Sequence, residues 1–282
     1  MGTAGHSNTR PSEMILRARR GVYGLRRLCN AYFAHEEPPP VLRFFVTNLV
    51  DRAARARSFA LLSQVEASRD QATMERIELI RDQMPGVALC ASRWGVLDVG
   101  LKHVTVDGLY AEFGVADGES LRFLCQRVPG PVYGFDSFQG LPEGWGAGVW
   151  PGTFARPHGA LPALPPNAVI MPGYFDESLP RFLQGLGSRS MAFLHMDADL
   201  YSSTSTVLNV LRERIVPSTI LVFDEYFGYA GWKSGGEFRA FSEFIQRSGY
   251  RYEYLACNAA GAQVAVRILP KPTAPTASAE AD

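Results

Sequence analysis

Apolar segments alternate with helical patterns through the second part of the chain, and this alternation restricts the possible folds more than any other feature. Helical patterns near 118–127, 178–186, 203–214 and 236–248 separate the apolar segments. Strands that alternate with helices form a parallel sheet with helices on both faces. The apolar segments are LYAEF (109–113), VYGFD (132–136), AVIM (168–171), MAFLHM (191–196) and TILVF (219–223).

The last two apolar segments follow a different pattern. RYEYLA (251–256) and QVAVRIL (263–269) are joined only by a short link around Asn258–Gly261. Parallel strands need a long crossover, so two strands across such a short link must be antiparallel. We therefore predict an α/β fold with a mostly parallel sheet and a reversed last strand at or near one edge.

The rest of the chain divides into three regions by composition. Residues 1–12 are small and polar, and residues 270–282 are rich in Pro, Ala and Thr, so both are predicted to be disordered. Residues 13–105 are predicted to form a helical N-terminal extension, because apolar residues recur at steps of three and four. We expect this extension to expose enough apolar surface for a homo-oligomer.

Charge and hydropathy exclude several classes of partner. Lys+Arg and Asp+Glu balance at 28 each, which does not favour a nucleic-acid partner. No apolar run is long enough to span a membrane, and the start, MGTAGHSNTR, lacks the apolar segment of a signal peptide. The 4 cysteines show no metal-binding or redox spacing. We therefore expect a cytoplasmic protein with reduced thiols and a small-molecule partner.

Glycine and acidic residues follow the first two strands, where ligands bind in open α/β sheets. Gly114 and Gly118 allow a tight turn, in a G-x-x-x-G spacing that differs from the dinucleotide motif. Asp136 lies about twenty residues later, where an acid can hold a ribose. After the third strand, Tyr174, Phe175 and Asp176 together could flank an adenine. The cofactor-binding candidates are Glu112, Gly114, Ser120, Asp136, Ser137, Phe175 and Asp176.

Four further acids follow the fourth and fifth strands. Asp197 and Asp199 end the segment HMDAD, and Asp224 and Glu225 follow TILVF. Divalent cations such as Mg²⁺ prefer such carboxylate ligands, whereas clustered acids without a cation repel one another. Three interpretations stay open for Asp197 and Asp199: ligands of a metal, part of a sugar-nucleotide site, or capping of the next helix.

Taken together, the motifs YAEFGVADGES, FDSFQGLP, GYFDESLP, HMDADLYSST and VFDEYF resemble the macrocin O-methyltransferase family. Its members are S-adenosylmethionine-dependent, mostly Mg²⁺-dependent enzymes that methylate sugars of natural products. The resemblance implies a Rossmann-like class I methyltransferase fold in residues 106–269, with a seven-stranded sheet whose last strand is reversed. It also implies S-adenosylmethionine and Mg²⁺ as cofactors.

The resemblance assigns roles to individual residues. It implies metal ligands at Asp197 and Asp224, with Glu225 at the third position, where the family usually has Asp. Asp199 matches a proposed general base. The same comparison places Asp136 at the ribose and Glu112 near the methionine end of the cofactor. His195 is an alternative base, although a buried, hydrogen-bonded histidine is the simpler interpretation.

Three other functions compete with the methyltransferase. A metal-dependent nucleotide-sugar glycosyltransferase would use the D-x-D of Asp197 and Asp199, but it does not require the glycine turn followed by an acid. A NAD-dependent enzyme is disfavoured by the missing third glycine, and a non-catalytic module by the retained acids.

Residues 139–167 contain Trp145, Trp150 and Phe154 and are expected to form a lid over cofactor and acceptor.

Overall fold

The computed structural model describes residues 71–145 and 149–272. The chain divides into two compact units, residues 1–53 and 54–282. The first unit lies outside the described residues, and so do the predictions of disorder at 1–12, of helices before residue 71 and of a disordered tail from residue 273. Within the described residues, every helix is too short or too polar to cross a membrane.

One mixed sheet of eight strands forms the centre of the described region, with the order β1-β7-β8-β6-β5-β2-β3-β4. Strand β5 is buried along its whole length, since helices cover both faces of the sheet. The strands are β1 (Ala88–Leu89), β2 (Leu109–Phe113), β3 (Val132–Asp136), β4 (Ala168–Pro172), β5 (Met191–Met196), β6 (Ile215–Phe223), β7 (Arg251–Cys257) and β8 (Val264–Leu269).

The reversed last strand is confirmed. β8 pairs antiparallel with both β6 and β7, whereas the other neighbouring pairs in the sheet are parallel. The structure adds an eighth strand to the seven expected, because Ala88 and Leu89 pair with the end of β7. The prediction that residues 13–105 are helical is therefore wrong at residues 88–89, which form a strand at the edge of the sheet.

Helices connect the strands at nearly the predicted positions. The predicted helix near 178–186 begins earlier, at Phe175, whose ring packs against Phe113. The helices are α1 (Gln71–Gln83), α2 (Arg93–Lys102), α3 (Glu119–Cys125), α4 (Phe175–Gln184), α5 (Tyr201–Val210), α6 (Trp232–Gly235) and α7 (Glu237–Ser248).

Helix α2 has a special place because it packs directly over the centre of the sheet. A side chain at Gly100 would come within 2.8 Å of Val222 and 3.1 Å of Phe193, so the helix backbone approaches β5 and β6 closely. Ser92 caps the helix by accepting a hydrogen bond from the main-chain N–H of Gly95. Arg93, the first helical residue, is thereby placed at the carboxyl edge of the sheet.

Candidate active site

The turn after β2 lies directly against the loop after β5. Gly114 has φ +95°, a conformation that favours glycine. A Cβ there would lie 2.8 Å from the carbonyl carbon of Asp197 and would overlap its oxygen. The main-chain N–H of Asp197 in turn donates to the carbonyl oxygen of Phe113 at 2.9 Å. We call the loop after β5, with Asp197 and Asp199, and the loop after β6, with Asp224 and Glu225, the two acidic loops. The glycine turn is in contact with the first of them, and only glycine fits at position 114.

Asp136 at the end of β3 holds the same turn from the other side. Its Oδ2 accepts hydrogen bonds from the main-chain N–H groups of Val115 and Ala116, at 2.8 and 2.7 Å. Its Oδ1 accepts from the N–H of Phe138 at 2.6 Å. The carboxylate thus fixes the backbone of the glycine turn, and a carboxylate with about four acceptor positions can still take a further donor.

Asp197 and Asp224 converge, as expected from neighbouring strand ends, but a basic residue lies between them. Nη2 of Arg93 is 2.6 Å from Oδ2 of Asp197 and 3.2 Å from Oδ1 of Asp224. Burial and the neighbouring Asp224 carboxylate raise the pKa of Asp197 to about 6. Burial also acts to raise the pKa of Asp224, but the positive charges of Arg93 and His195 outweigh burial, so the pKa of Asp224 is lowered. Asp224 is therefore the more firmly ionised of the two acids.

His195 and Glu112 form a fully buried pair beside these acids. Both side chains have 0% exposure, and Nδ1 of His195 lies 3.0 Å from Oε2 of Glu112. Nε2 of His195 lies 3.8 Å from Oδ1 of Asp224. Burial opposes the imidazolium charge, but the carboxylates of Asp224 and Glu112 raise the pKa of His195 to about 10. The interpretation of His195 as a buried, hydrogen-bonded histidine is confirmed.

Asp199 and Glu225, the second acid of each loop, lie outside the cluster that Asp197 and Asp224 form with His195. Asp199 is partly exposed and has φ +57°, a left-handed conformation that Asp and Asn tolerate better than most residues. Glu225 is outside the group formed by His195, Asp197 and Asp224, whose ligand atoms lie within 4.8 Å of one another. The strand ends at Phe223, so Asp224 and Glu225 both belong to the bend that follows it.

Glu237, which the sequence analysis missed, connects the two acidic loops. Its side chain is fully buried, with Oε1 accepting from the main-chain N–H of Ala198 at 3.4 Å and Oε2 from that of Glu225 at 3.0 Å. Burial raises the pKa of this carboxyl well above its usual value. One carboxyl group therefore fixes the position of the loop after β5 relative to the loop after β6.

The remaining predicted cofactor residues lie around the glycine turn. Ser120 is buried in the first turn of α3. Ser137 donates to the carbonyl oxygen of Gly140 and accepts from the N–H of Gln139, so it shapes the loop after β3. Phe175 packs edge-on against the ring of Phe113 at 5.7 Å, and Asp176 is exposed in the first turn of α4.

The long loop, residues 139–167, is attached on both flanks of this edge, although residues 146–148 are outside the description. On one flank Glu143 accepts a hydrogen bond from Ser202, and Trp145 packs edge-on against Tyr229 at 5.8 Å. On the other flank Arg156 pairs with Asp117 beside the glycine turn. Trp150 and Phe154, by contrast, are 74% and 55% exposed, which leaves apolar side chains at the loop surface.

Comparison with known proteins agrees with this architecture. Residues 111–226 match the family described as methyltransferase domain. Over 218 residues the chain is 26% identical to 8-demethyl-8-(2,3-dimethoxy-alpha-L-rhamnosyl)-tetracenomycin-C 4'-O-methyltransferase of Streptomyces olivaceus, covering 66% of this chain and 78% of that one. The calicheamicin methyltransferase CalS11 superposes with a TM-score of 0.51 at 21% identity, over 70% of this chain and 91% of its own. The O-methyltransferase NovP gives 0.47 at 19% identity, over 63% and 80%.

The sheet order, the glycine turn and the matched domain define a class I methyltransferase. The chain is an S-adenosylmethionine-dependent O-methyltransferase, and its resemblance to the macrocin O-methyltransferase family is confirmed. The match to a methyltransferase domain disfavours the glycosyltransferase alternative.

Proposed function

We propose that this enzyme methylates a hydroxyl group on a sugar of a glycosylated natural product. The relative from Streptomyces olivaceus is named for methylation of a rhamnosyl 4'-oxygen, and it supports this substrate class. The observation that carries the proposal is the contact between the glycine turn and the acidic loop, where Gly114 abuts Asp197. A cofactor at the turn and an acceptor hydroxyl at the acids would then be neighbours, as methyl transfer requires.

In this proposal the glycine turn and its surroundings bind S-adenosylmethionine. Asp136, already bonded to the turn, would hold the ribose, with Phe175 and Asp176 near the adenine. Ser120 follows the same turn and Ser137 lies in the loop after β3, and the cofactor-binding set is completed by Glu112 and Gly114. When bound, the cofactor supplies an electrophilic methyl group on a positively charged sulfur.

Asp199 is the proposed general base. It is partly exposed, and it sits on the same loop as Asp197. It would take the proton from the acceptor hydroxyl while the oxygen forms a bond to the methyl carbon. The carbon–sulfur bond breaks, its electron pair stays on sulfur, and the sulfonium charge is neutralised. His195 is a weaker candidate because it is fully buried and paired with Glu112.

Magnesium is implied by the family resemblance alone. Asp197, Asp224 and Glu225 were expected to hold it, but the groups that converge are His195, Asp197 and Asp224. Arg93 already contacts both aspartates, so a divalent cation would meet a positive charge at the same carboxylates. The residues fit a cation poorly, and no step is assigned to one. A homo-oligomer and a cytoplasmic location stay predictions.

The acceptor is proposed to bind between the acidic loops and the long loop. Trp145 and Tyr229 meet there, and aromatic rings provide apolar contact for a glycosylated ring system.

The proposed function is tested by transfer of labelled methyl groups from S-adenosylmethionine to a rhamnosylated polyketide and to its matching aglycone. Label is expected only in the glycosylated compound. Equal labelling of the aglycone would reject a sugar acceptor, and tight binding of TDP-sugars without S-adenosylmethionine binding would favour the glycosyltransferase.

Asp136→Ala is expected to weaken S-adenosylmethionine binding at least about tenfold, or about 1.4 kcal/mol, because it removes a ribose acceptor and the support of the turn. Calorimetric titration measures this change, and Asp98→Ala, at an exposed ion pair with Lys102, is the control. A cofactor analogue lacking the ribose hydroxyls separates the two causes. If Asp136 contacts the ribose, the wild type loses affinity for the analogue and Asp136→Ala does not. Equal losses would mean that Asp136 acts only on the turn.

Glu237→Gln is expected to slow methyl transfer by about ten- to a hundredfold, with S-adenosylmethionine affinity changed less than about threefold. A glutamine offers one acceptor and one donor, so it can accept from either Ala198 or Glu225 but not from both. Single-turnover kinetics and cofactor titration measure the two effects. Glu213→Gln, on the exposed surface, serves as the control. Unchanged turnover in Glu237→Gln would show that the acidic loops keep their positions without this carboxyl.

A further inference from the structure

Arg93 places a guanidinium group between Asp197 and Asp224, two acids of the candidate active site. Its Nη2 atom is shared by Asp197 and Asp224, the two residues to which the family resemblance assigns a metal. Arg93 belongs to α2, whereas Asp197 and Asp224 follow β5 and β6. These ion pairs therefore form only when the chain is folded.

Three features hold the guanidinium in this position. Arg93 begins a helix whose first turn is capped by Ser92. Its side chain is only 20% exposed, and its Cζ lies 5.4 Å from the centre of the Trp94 ring, within the range of a cation–π contact. Trp94 is fixed in turn against Phe123, at a ring distance of 4.9 Å. The guanidinium is therefore held by packing as well as by charge.

The same features place a positive charge at the carboxylates where a divalent cation would bind. Magnesium binds oxygen ligands at about 2.0–2.1 Å in an octahedron, and each ligand oxygen must face the ion. Oδ2 of Asp197 and Oδ1 of Asp224 face Arg93 instead, at 2.6 and 3.2 Å. The two acids repel one another, and the guanidinium reduces this repulsion, as a cation does in a metal site.

We propose that Arg93 supplies the fixed positive charge that the family resemblance assigns to a metal, and that this enzyme works without a divalent cation. Arg93 is a positioning residue: it holds Asp197 and Asp224 together and thereby sets the loop that carries Asp199. The methyl transfer needs no further reactant, since the hydroxyl proton goes to Asp199 and the sulfonium charge disappears with the breaking carbon–sulfur bond. The role in catalysis rests on the proposed function, whereas the metal-binding behaviour does not.

The test is titration of Mn²⁺ and Mg²⁺ into the metal-stripped full chain, followed by calorimetry and, for Mn²⁺, by electron paramagnetic resonance. The wild type is expected to show no binding below millimolar concentrations. Arg93→Ala removes the guanidinium from between the two acids and is expected to bind one Mn²⁺ at least about tenfold more tightly than the wild type. Arg93→Lys keeps the charge and should bind no better than the wild type. Arg212→Ala, which removes an exposed pair with Glu213, is the matched control.

Two results would overturn the proposal. One is stoichiometric micromolar binding of Mn²⁺ or Mg²⁺ by the wild type, and the wild-type titration decides this even if Arg93→Ala fails to fold. The other is a folded Arg93→Ala that binds Mn²⁺ no more tightly than the wild type. A parallel titration with S-adenosylmethionine keeps the two proposals apart, because failure of cofactor binding would reject the methyltransferase function and leave the metal result unaffected.

Discussion

An Asp199→Asn variant is expected to bind S-adenosylmethionine like the wild type but to transfer methyl groups about 10²- to 10⁴-fold more slowly. Asparagine has nearly the shape of aspartate and tolerates the left-handed backbone at this position, φ +57°, so the loop should keep its conformation. What it lacks is the ability to take the hydroxyl proton. Rapid-quench measurement of a single turnover isolates this step from product release.

Asp82→Asn is the control for Asp199→Asn, since Asp82 is 56% exposed and pairs only locally with Arg81. Its turnover should stay within about twofold of the wild type, as for most surface substitutions. An Asp199→Asn variant with more than half of the wild-type rate would exclude Asp199 as the base.

Gly114→Ala is expected to abolish measurable S-adenosylmethionine binding and to destabilise the fold by about 3 kcal/mol or more. Two effects add at this position. A side chain is strained at φ +95°, and its Cβ would overlap the carbonyl oxygen of Asp197, a main-chain atom that cannot rotate away. Thermal unfolding measures the stability, and calorimetric titration measures the loss of cofactor binding.

Gly86→Ala separates strain from overlap. Gly86 also has a positive φ, +77°, but a Cβ there meets nothing within 4 Å. Gly86→Ala should therefore lower the free energy of unfolding by only about 1 kcal/mol, the penalty for a left-handed backbone, and should leave cofactor binding unchanged. If both variants lose the same stability and both bind the cofactor, the close approach of the glycine turn to the acidic loop is not essential.

The sheet and the position of the site could be predicted because local patterns determine them. β2, β3 and β5 begin and end at the predicted residues, since buried strands in a covered sheet are continuous apolar segments with sharp ends. Parallel strands place their carboxyl ends together, so the approach of Asp197 to Asp224 follows from the sequence alone.

Arg93 and Glu237 could not be predicted in this way. Each belongs to a helix, and its contacts with the acidic loops depend on how that helix packs across the sheet. The segment containing Arg93 also had no apolar strand to mark a carboxyl end. The absence of Glu225 from the group of Asp197 and Asp224 could not be predicted either, because both Asp224 and Glu225 lie in a bend whose geometry the strand pattern does not determine.

Glu237 and the long loop suggest how such an enzyme can diversify. The two acidic loops are bound to one another through a buried carboxyl, while the long loop is attached through contacts with Ser202, Tyr229 and Asp117. In the proposed function, reaction chemistry is assigned to the acidic loops and choice of acceptor to the long loop. New acceptor preferences can be acquired by replacing surface residues of the loop, with the methyl-transfer apparatus inherited unchanged.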